Sequence, residues 1–152
     1  LAAHDIEVFE LNDVSEILVY IDGDDEVDPS NNLIKGGGGA HTREKIVASA
    51  SNEFVCIVDE SKLVKALGNF PLPIEVMIKS RSYVAREVVK LGGIPILRAD
   101  FITDQGNQIL DIIDIKIDKP EILEQRLNLI PGVLDNGIFA NCKPSKLIIG
   151  RN

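Results

Sequence analysis

The chain has 152 residues, of which 45% are apolar and 26% charged, and its 24 acidic and 16 basic residues give a net charge of −8. This length suffices for one domain, or for two small ones that share a boundary, and for a sizeable hydrophobic core. No apolar run approaches the roughly 18 to 20 residues of a membrane span, and the negative charge disfavours nucleic acid and anionic lipid as partners. Cys56 and Cys142 have no metal-ligand spacing, so we expect two reduced thiols in a cytoplasmic protein.

The first part of the chain predicts two strands and then a loop. Residues 6–11 (IEVFEL) and 16–22 (EILVYID) have the composition of short strands. The second is an almost continuous apolar run, which is typical of a strand buried on both faces of a parallel sheet. The stretch 21–45 follows, with six acidic residues and four consecutive glycines. Glycines lose much conformational freedom on folding, so we expect this loop to hold a ligand.

A helix and another strand are expected after the loop. The segment from about 41 to 51 predicts a helix, and 54–59 (FVCIVD) predicts a second buried strand, which gives the order β-loop-α-β. Three residues share the helix face that we expect to be buried: Ile46, Val47 and Ala50. Residues 61–67 (SKLVKAL) predict a further short helix that ends at Gly68.

The rest of the chain predicts a different architecture. The expected strands are 74–78, 94–100, 107–114, 133–141 and 146–150. The expected helices are 80–93, with Val84, Val88 and Leu91 on one stripe, and 118–132, with Asp118 as cap and Pro120 at its start. Between 71 and 137 the order is β-α-β-β-α-β, which is that of the ferredoxin-like fold.

The glycine-rich loop does not match the known phosphate or calcium motifs. A P-loop needs a lysine after its glycines, whereas Lys35 precedes them here. A dinucleotide fingerprint would need glycine where His41 or Thr42 stands, and a calcium loop would need it where Val27 stands. We therefore expect neither a nucleotide nor a calcium ion in this loop.

The predicted topology nevertheless places a site in the loop. Open parallel sheets bind ligands beyond the carboxyl ends of their strands, so Asp22 and Asp25 are candidates to point into a crevice. Lys35 and Gly36–Gly39 lead into a helix with free N–H groups in its first turn, and Glu44 lies within its first two turns. Carboxylates, one ammonium and exposed amides suit a small polyhydroxylated anion and the transfer of a proton between adjacent sugar carbons.

The charged residues of this region also have purely structural explanations. Glu44 near a helix N-terminus interacts favourably with the helix dipole and needs no function. Three loop carboxylates are expected to be solvated: Asp24, Glu26 and Asp28. His41 and Lys62, each at the start of a predicted helix, are expected at the surface.

The loop closely resembles the sugar-binding signature of the A-type ribose-5-phosphate isomerases. In that family an Asp-Gly-x-Asp-Glu loop is followed by Lys-Gly-Gly-Gly and by Arg-Glu-Lys, which stand here at 22–26, 35–38 and 43–45. Other stretches, such as FVCIVDESKLV, TDQGNQILD and GIFAN, resemble the family in the same order, so that the resemblance covers essentially the whole chain. It implies a Rossmann-like α/β domain (1–70 and 138–152) with an inserted ferredoxin-like α+β domain (71–137), assembled as a homodimer or homotetramer.

The resemblance also implies a role for each site residue. Glu44 would be the general base that interconverts ribose 5-phosphate and ribulose 5-phosphate through an enediol or enediolate, in the pentose phosphate pathway. Asp22 would bind the sugar and assist ring opening, and Lys35 would stabilise the oxyanion. The other residues implied to bind the sugar phosphate are Gly23, Asp24, Asp25, Gly36, Gly37, Gly38 and Lys62. The family needs no metal and no organic cofactor.

Several features depart from the family pattern. Asp24 stands where the signature commonly has a small residue, and Gly39 and His41 stand where apolar or small residues are more usual. The family's first helix and strand, with a Gly-Thr-Gly-Ser-type phosphate loop, have no counterpart, so we expect this chain to lack that N-terminal segment. Two other functions stay open, namely a non-catalytic, truncated sugar-phosphate-binding domain and a related enzyme such as an amino-sugar phosphate deaminase or a coenzyme A transferase. The pairing of the Lys-Gly run with Arg-Glu-Lys argues against the related enzyme.

Overall fold

The computed structural model describes residues 2–151, with the side chain of residue 2 left out, as three sheets flanked by three helices. The strands are β1 (Ile17–Asp22), β2 (Glu26–Val27), β3 (Leu33–Ile34), β4 (Ser51–Asp59), β5 (Leu72–Val76), β6 (Ile94–Leu97), β7 (Gln108–Ile113), β8 (Val133–Asn136), β9 (Ile138–Phe139) and β10 (Lys146–Gly150). The helices are α1 (His41–Ala50), α2 (Arg81–Lys90) and α3 (Pro120–Asn128). Within 2–151, no helix is long and apolar enough to cross a membrane.

A parallel sheet of three strands carries the carboxyl edge at which a site was predicted. β4 lies at its centre and pairs in parallel with β1 and β10. One face of this sheet is covered by a small antiparallel sheet of β2, β3 and β9 and by α1, around Phe54, Cys56 and Phe139. The other face of β1 exposes Val19 and Ile21 by 46% and 59%. The strand was expected to be buried on both faces, but no element among residues 2–151 covers this one.

The second sheet has the predicted ferredoxin-like arrangement. Its strand order is β6-β7-β5-β8, every neighbouring pair is antiparallel, and the chain order is β5-α2-β6-β7-α3-β8. Val84 and Val88 of α2 are fully buried, as their helical spacing predicted. Asp118 does not cap α3, because Lys119 occupies the cap position and Pro120 has no N–H that needs an acceptor. The fold is therefore the predicted Rossmann-like α/β sheet combined with a ferredoxin-like α+β unit.

Helix α1 has the predicted position but buries a different face. Its buried residues are His41, Thr42 and Ala48, whereas Ile46 is 50% exposed. Polar contacts fix this orientation, since the hydroxyl of Thr42 donates to the buried carboxylate of Glu75 in β5. The apolar spacing of the helix was thus a poor guide to the face that packs.

Two predicted elements are absent among the described residues. Residues 6–10 form no strand, and a 3-10 turn follows at Leu11–Asp13. Residues 61–67 form no α-helix beyond the 3-10 turn Glu60–Lys62, and the chain after this turn pairs with β2 instead. The N–H of Val64 donates to the carbonyl of Val27 at 2.9 Å.

Candidate active site

The loop between β1 and α1 folds back on itself and lines an open cavity of about 240 Å³ at the carboxyl end of β1. The hairpin of β2 and β3 returns the chain, so that Lys35, which directly follows β3, lies beside Asp22. The cavity is lined by Asp22, Gly23, Asp24, Asp25, Lys35, Gly36, Gly37, Gly38 and Glu44. The structure thus brings together every predicted site residue except Lys62, which ends a 3-10 turn and does not line this cavity.

Three carboxylates surround the ammonium of Lys35, whose side chain is only 2% exposed. The ammonium donates to Oδ2 of Asp22 at 2.9 Å and to the carbonyl of Gly23. Oε2 of Glu44 lies 3.3 Å from Nζ, and Oδ1 of Asp24 lies 3.6 Å from it. This cluster supplies both a base and a cation at the wall of one cavity.

Together, burial and neighbouring charges leave the pKa values of both Lys35 and Glu44 above their ordinary values. Burial alone would lower the pKa of Lys35, but the carboxylates of Glu44, Asp24 and Asp22 outweigh it, so the pKa lies above its ordinary value. Burial raises the pKa of Glu44, and the charge of Lys35 offsets only part of this. A carboxylate whose pKa is raised toward neutrality is a better base than an ordinary one.

Asp22 is held in its ionised form. Burial would raise its pKa, but hydrogen bonds from Tyr20 and Lys35 outweigh that effect and lower it. Tyr20 was not predicted as a site residue, although a signal existed, since residues two apart on a strand share one face. Its hydroxyl donates to Oδ2 of Asp22.

The glycine run forms a tight turn rather than an open loop. Gly36 and Gly39 have φ values of +106° and +81°, and the N–H of Gly39 donates to the carbonyl of Gly36 at 2.9 Å. These backbone angles favour glycine because they are strained for residues with a Cβ. The N–H of Gly37 donates to Oδ2 of Asp25 at 2.8 Å. Asp25 therefore fixes the turn that walls the cavity.

Arg98 supports the same turn from the neighbouring sheet. Its guanidinium donates to the carbonyls of Gly36 and Gly37 at 3.1 to 3.3 Å and pairs with Asp111 of β7. Nothing in its local sequence indicated this contact, because its partners lie 61 and 62 residues away in the chain.

Two of the three loop carboxylates that were expected in solvent are buried. The side chain of Asp24 is 0% exposed and accepts the thiol of Cys56. Glu26 is 3% exposed and accepts the N–H groups of Gly68 and Phe70 at 2.7 and 2.6 Å, because that stretch is not helical and its amides need an acceptor. Asp28 is half-buried and accepts the N–H groups of residues 30 and 32 in its own turn.

His41 was expected at the surface and is instead fully buried. Neither ring nitrogen has a hydrogen-bond partner among residues 2–151, and burial lowers its pKa to about 4. A Cβ on Gly36 would lie 2.7 Å from Nδ1 of this ring. The neutral imidazole therefore packs under the glycine turn and has a structural position rather than that of a catalytic base.

A larger cavity of about 490 Å³ lies elsewhere, between residues 9–17 and α1. Its lining is mainly apolar, and its charged residues are Glu10 and Arg43, which pair with each other at 3.8 Å. It offers no buried base. The smaller cavity combines carboxylates with a buried ammonium at the carboxyl edge of a parallel sheet, and this arrangement is that of an α/β enzyme that moves protons on a polar substrate.

Comparison with known proteins shows the family to which this chain belongs. The family model described as "Ribose 5-phosphate isomerase A (phosphoriboisomerase A)" matches residues 1–152. Ribose-5-phosphate isomerase A of Legionella pneumophila (strain Lens) is 52% identical over 149 residues, which are 98% of this chain and 69% of that protein. The chain therefore belongs to the ribose 5-phosphate isomerase A family, whose members are aldose-ketose isomerases.

Solved structures of ribose 5-phosphate isomerases are similar to this chain in fold and sequence. The crystal structure of ribose 5 phosphate isomerase A from Neisseria gonorrhoeae has a TM-score of 0.97 and 53% identity, over 99% of this chain and 68% of that one. A D-ribose-5-phosphate isomerase in complex with phospho-erythronic acid has a TM-score of 0.92 and 40% identity, over 97% and 68%. The predicted family and fold class are confirmed, and the chain spans about two thirds of the length of these relatives.

Proposed function

We propose that this chain interconverts D-ribose 5-phosphate and D-ribulose 5-phosphate with Glu44 as the general base, as a step of the pentose phosphate pathway. The observation that carries the proposal is the position of Glu44, which lines the cavity 3.3 Å from the ammonium of Lys35. A base and a cation at this separation can act on adjacent atoms of one small substrate.

The proposed reaction moves one proton between carbons and one between oxygens. Glu44 removes the proton from C2 of the open-chain aldose, and the electron pair moves to form the enediolate, whose charge develops on O1. Lys35 stabilises that charge as an oxyanion-binding cation. Glu44 then returns the proton to C1 while the O2 proton passes to O1, which leaves the ketose and restores the carboxylate.

Asp22 and Asp25 are proposed to bind the sugar hydroxyls. The side chain of Asp22 is 32% exposed at the cavity, and its lowered pKa keeps it an acceptor. As an ionised neighbour of the ammonium it can also take part in ring opening and in proton movement among the sugar oxygens. The role of Lys62 as a substrate ligand stays a prediction, which a rise in KM for Lys62→Ala would support.

We also infer the organisation and setting of the protein. The division into 1–70 with 138–152 and an inserted 71–137 is proposed because the four-stranded sheet and its helices lie within 72–136. A sugar phosphate as partner fits the cavity, and the relative that binds phospho-erythronic acid offers a parallel. A homodimer or homotetramer in the cytoplasm, without nucleic acid, is proposed from the family and the net charge of −8. Mass measurement in solution tests the assembly.

A coupled assay tests the proposed function directly. The complete protein is expected to form ribulose 5-phosphate from ribose 5-phosphate without added metal or cofactor. Formation of no ribulose 5-phosphate, together with retained binding of the sugar phosphate, would instead support a binding domain without catalysis.

A further inference from the structure

The side chain of Asp24 lies on the buried side of the ion cluster. It is 0% exposed, compared with 32% for the side chain of Asp22 and 26% for that of Glu44. A sugar that enters the cavity therefore meets the side chains of Asp22 and Glu44, whereas Asp24, although it lines the cavity, has no exposed side-chain surface. The proton transfer described above makes no use of this third carboxylate.

The contacts of Asp24 connect it to Lys35. Its Oδ1 lies 3.6 Å from Nζ of Lys35 and has no hydrogen-bond donor in the part of the chain that the structure describes. The ammonium of Lys35 donates two of its three protons, one to Asp22 and one to the carbonyl of Gly23. The third proton is left for two buried oxygens that lack donors, Oδ1 of Asp24 and Oε2 of Glu44.

An ammonium buried as deeply as that of Lys35 stays protonated only if negative charge surrounds it. Burial disfavours the charged form of a lysine, by several pKa units for a fully buried one. In the proposed reaction Glu44 takes up a proton and Asp22 binds sugar hydroxyls, so their support for the ammonium changes during the cycle. Asp24 is the carboxylate of the cluster that the proposed reaction uses neither to take up a proton nor to bind sugar hydroxyls.

We propose that Asp24 is a positioning residue, which keeps Lys35 protonated and directed into the cavity throughout the catalytic cycle. The inference rests on the proposed isomerase function and assigns Asp24 a role other than contact with the sugar. It also explains why a charged residue is tolerated at a buried position, since the ammonium of Lys35 pairs with it.

Groups from four adjoining segments face Asp24 or the ammonium that pairs with it. They are Tyr20 and Asp22 of β1, Cys56 of β4, Glu44 of α1, and Lys35 after β3. Burial raises the pKa of Asp24 to about 6, and the contacts with Cys56 and Lys35 offset part of this. Asp24 is therefore fully ionised in the alkaline range in which Lys35 loses its proton. Removal of that charge must lower the pKa of Lys35.

Titration of Lys35 in the Asp24→Asn variant tests the proposal. We expect the pKa of Lys35, followed by NMR of its Nζ in the complete protein, to fall by about one unit. The alkaline limb of the kcat/KM profile is expected to move to lower pH by the same amount. Because the side chain of Asp24 has no exposed surface in the cavity, KM at neutral pH is expected to stay within about twofold of its original value.

Cys56→Ala is the matched control, because it removes the thiol beside Asp24 and leaves its charge in place. Neither the Lys35 titration nor the alkaline limb is expected to move in this variant. An equal shift in Cys56→Ala would attribute the effect to packing and overturn the proposal. An unshifted Lys35 in Asp24→Asn would overturn it too, as would a rise in KM that exceeds the loss of kcat.

A second variant guards against misfolding. Asp24→Ala leaves no buried amide to satisfy and is expected to give the same shift as Asp24→Asn. If neither variant folds, the charge is structural and the positioning role is wrong. The NMR titration needs no turnover. If the original protein is inactive but the pKa of Lys35 shifts as expected in Asp24→Asn, only the isomerase function is contradicted. If the original protein is active but this pKa does not shift, only the role of Asp24 is contradicted.

Discussion

The ammonium of Lys35 lies 3.3 Å from Oε2 of Glu44, and both atoms are at the wall of the same small cavity. This separation couples the base to the cation: the charge of Lys35 favours the ionised form of Glu44, and burial opposes it. The chemistry of the site therefore depends on a balance between two effects of opposite sign.

The first prediction concerns the acidic limb of the rate profile. Glu44 must be ionised to remove a proton, and its pKa is raised by burial, so activity is lost as pH falls through that raised pKa. In Lys35→Ala the ammonium no longer favours the carboxylate, so the acidic limb is expected to move to higher pH. The maximum kcat is expected to fall about 100-fold or more, because the oxyanion loses its cation. Profiles of kcat and kcat/KM against pH, measured for the original protein and for Lys35→Ala, check both effects. An acidic limb that moves to lower pH in Lys35→Ala would contradict the coupling.

The second prediction concerns Lys45, which anchors α1 next to Glu44. Its ammonium lies 3.1 Å from Glu124 and 2.9 Å from Asp135, with side-chain exposures of 12%, 4% and 10%. Lys45→Met leaves two buried carboxylates without their cation, and we expect the free energy of unfolding to fall by about 3 kcal/mol or more. Urea unfolding measures this change.

Lys90→Met provides the control for Lys45. Lys90 pairs with Glu87 on the surface, and its side chain is 68% exposed. Its substitution is expected to change the free energy of unfolding by less than about 0.5 kcal/mol. If Lys45→Met and Lys90→Met lost the same free energy of unfolding, the buried ion pairs of Lys45 would contribute no more to stability than a surface pair.

The third prediction separates two neighbouring glycines. Gly39 has a φ of +81°, and a Cβ there would overlap the ring of Phe101, so Gly39→Ala is expected to lose about 2 to 4 kcal/mol of stability. A Cβ on Gly38 would meet no atom within 4 Å, so Gly38→Ala is expected to fold with unchanged stability. Since Gly38 lines the cavity, that variant is expected to raise KM. Thermal unfolding and steady-state kinetics distinguish the two effects.

The fourth prediction concerns His41 and the stability of the fold in acid. Burial lowers its pKa to about 4, below the value near 6.5 of an unfolded histidine, so the unfolded state binds the proton first. Stability is therefore expected to fall as pH decreases from about 6.5 to 4, by roughly 3 kcal/mol from this group. In His41→Phe this contribution to the slope of stability against pH should vanish, while the slope of the original protein keeps it. Urea unfolding at several pH values measures both slopes.

The elements that the sequence predicted well are those defined by local patterns. Helix α2 shows its buried stripe in the spacing of Val84 and Val88, and α3 shows its start in Pro120. The loop between Asp22 and Glu44 was recognisable as a site because its residue types match one chemistry at close sequence spacing. The structure places these residues around one cavity.

The features that were missed depend on contacts between distant segments. Glu26 was predicted to be solvated because its neighbours are polar, but its partners at Gly68 and Phe70 lie 42 and 44 residues away. The predicted helix at 61–67 was wrong for a similar reason, since the N–H of Val64 bonds to the carbonyl of Val27, 37 residues before it in the chain. His41 and the buried face of α1 were misjudged because polar contacts, with Glu75 and Asp135 among them, decide how that helix packs.

The central claim is that Glu44 is the base, and the Glu44→Gln variant of the complete protein tests it most directly. Glutamine has nearly the same shape but cannot take up the proton, so kcat for ribose 5-phosphate is expected to fall by about a thousandfold or more while the sugar phosphate still binds. Glu53→Gln, at an exposed position of β4, is the matched control and should keep full activity. A Glu44→Gln protein that folds and turns over at nearly the original rate would contradict the assignment.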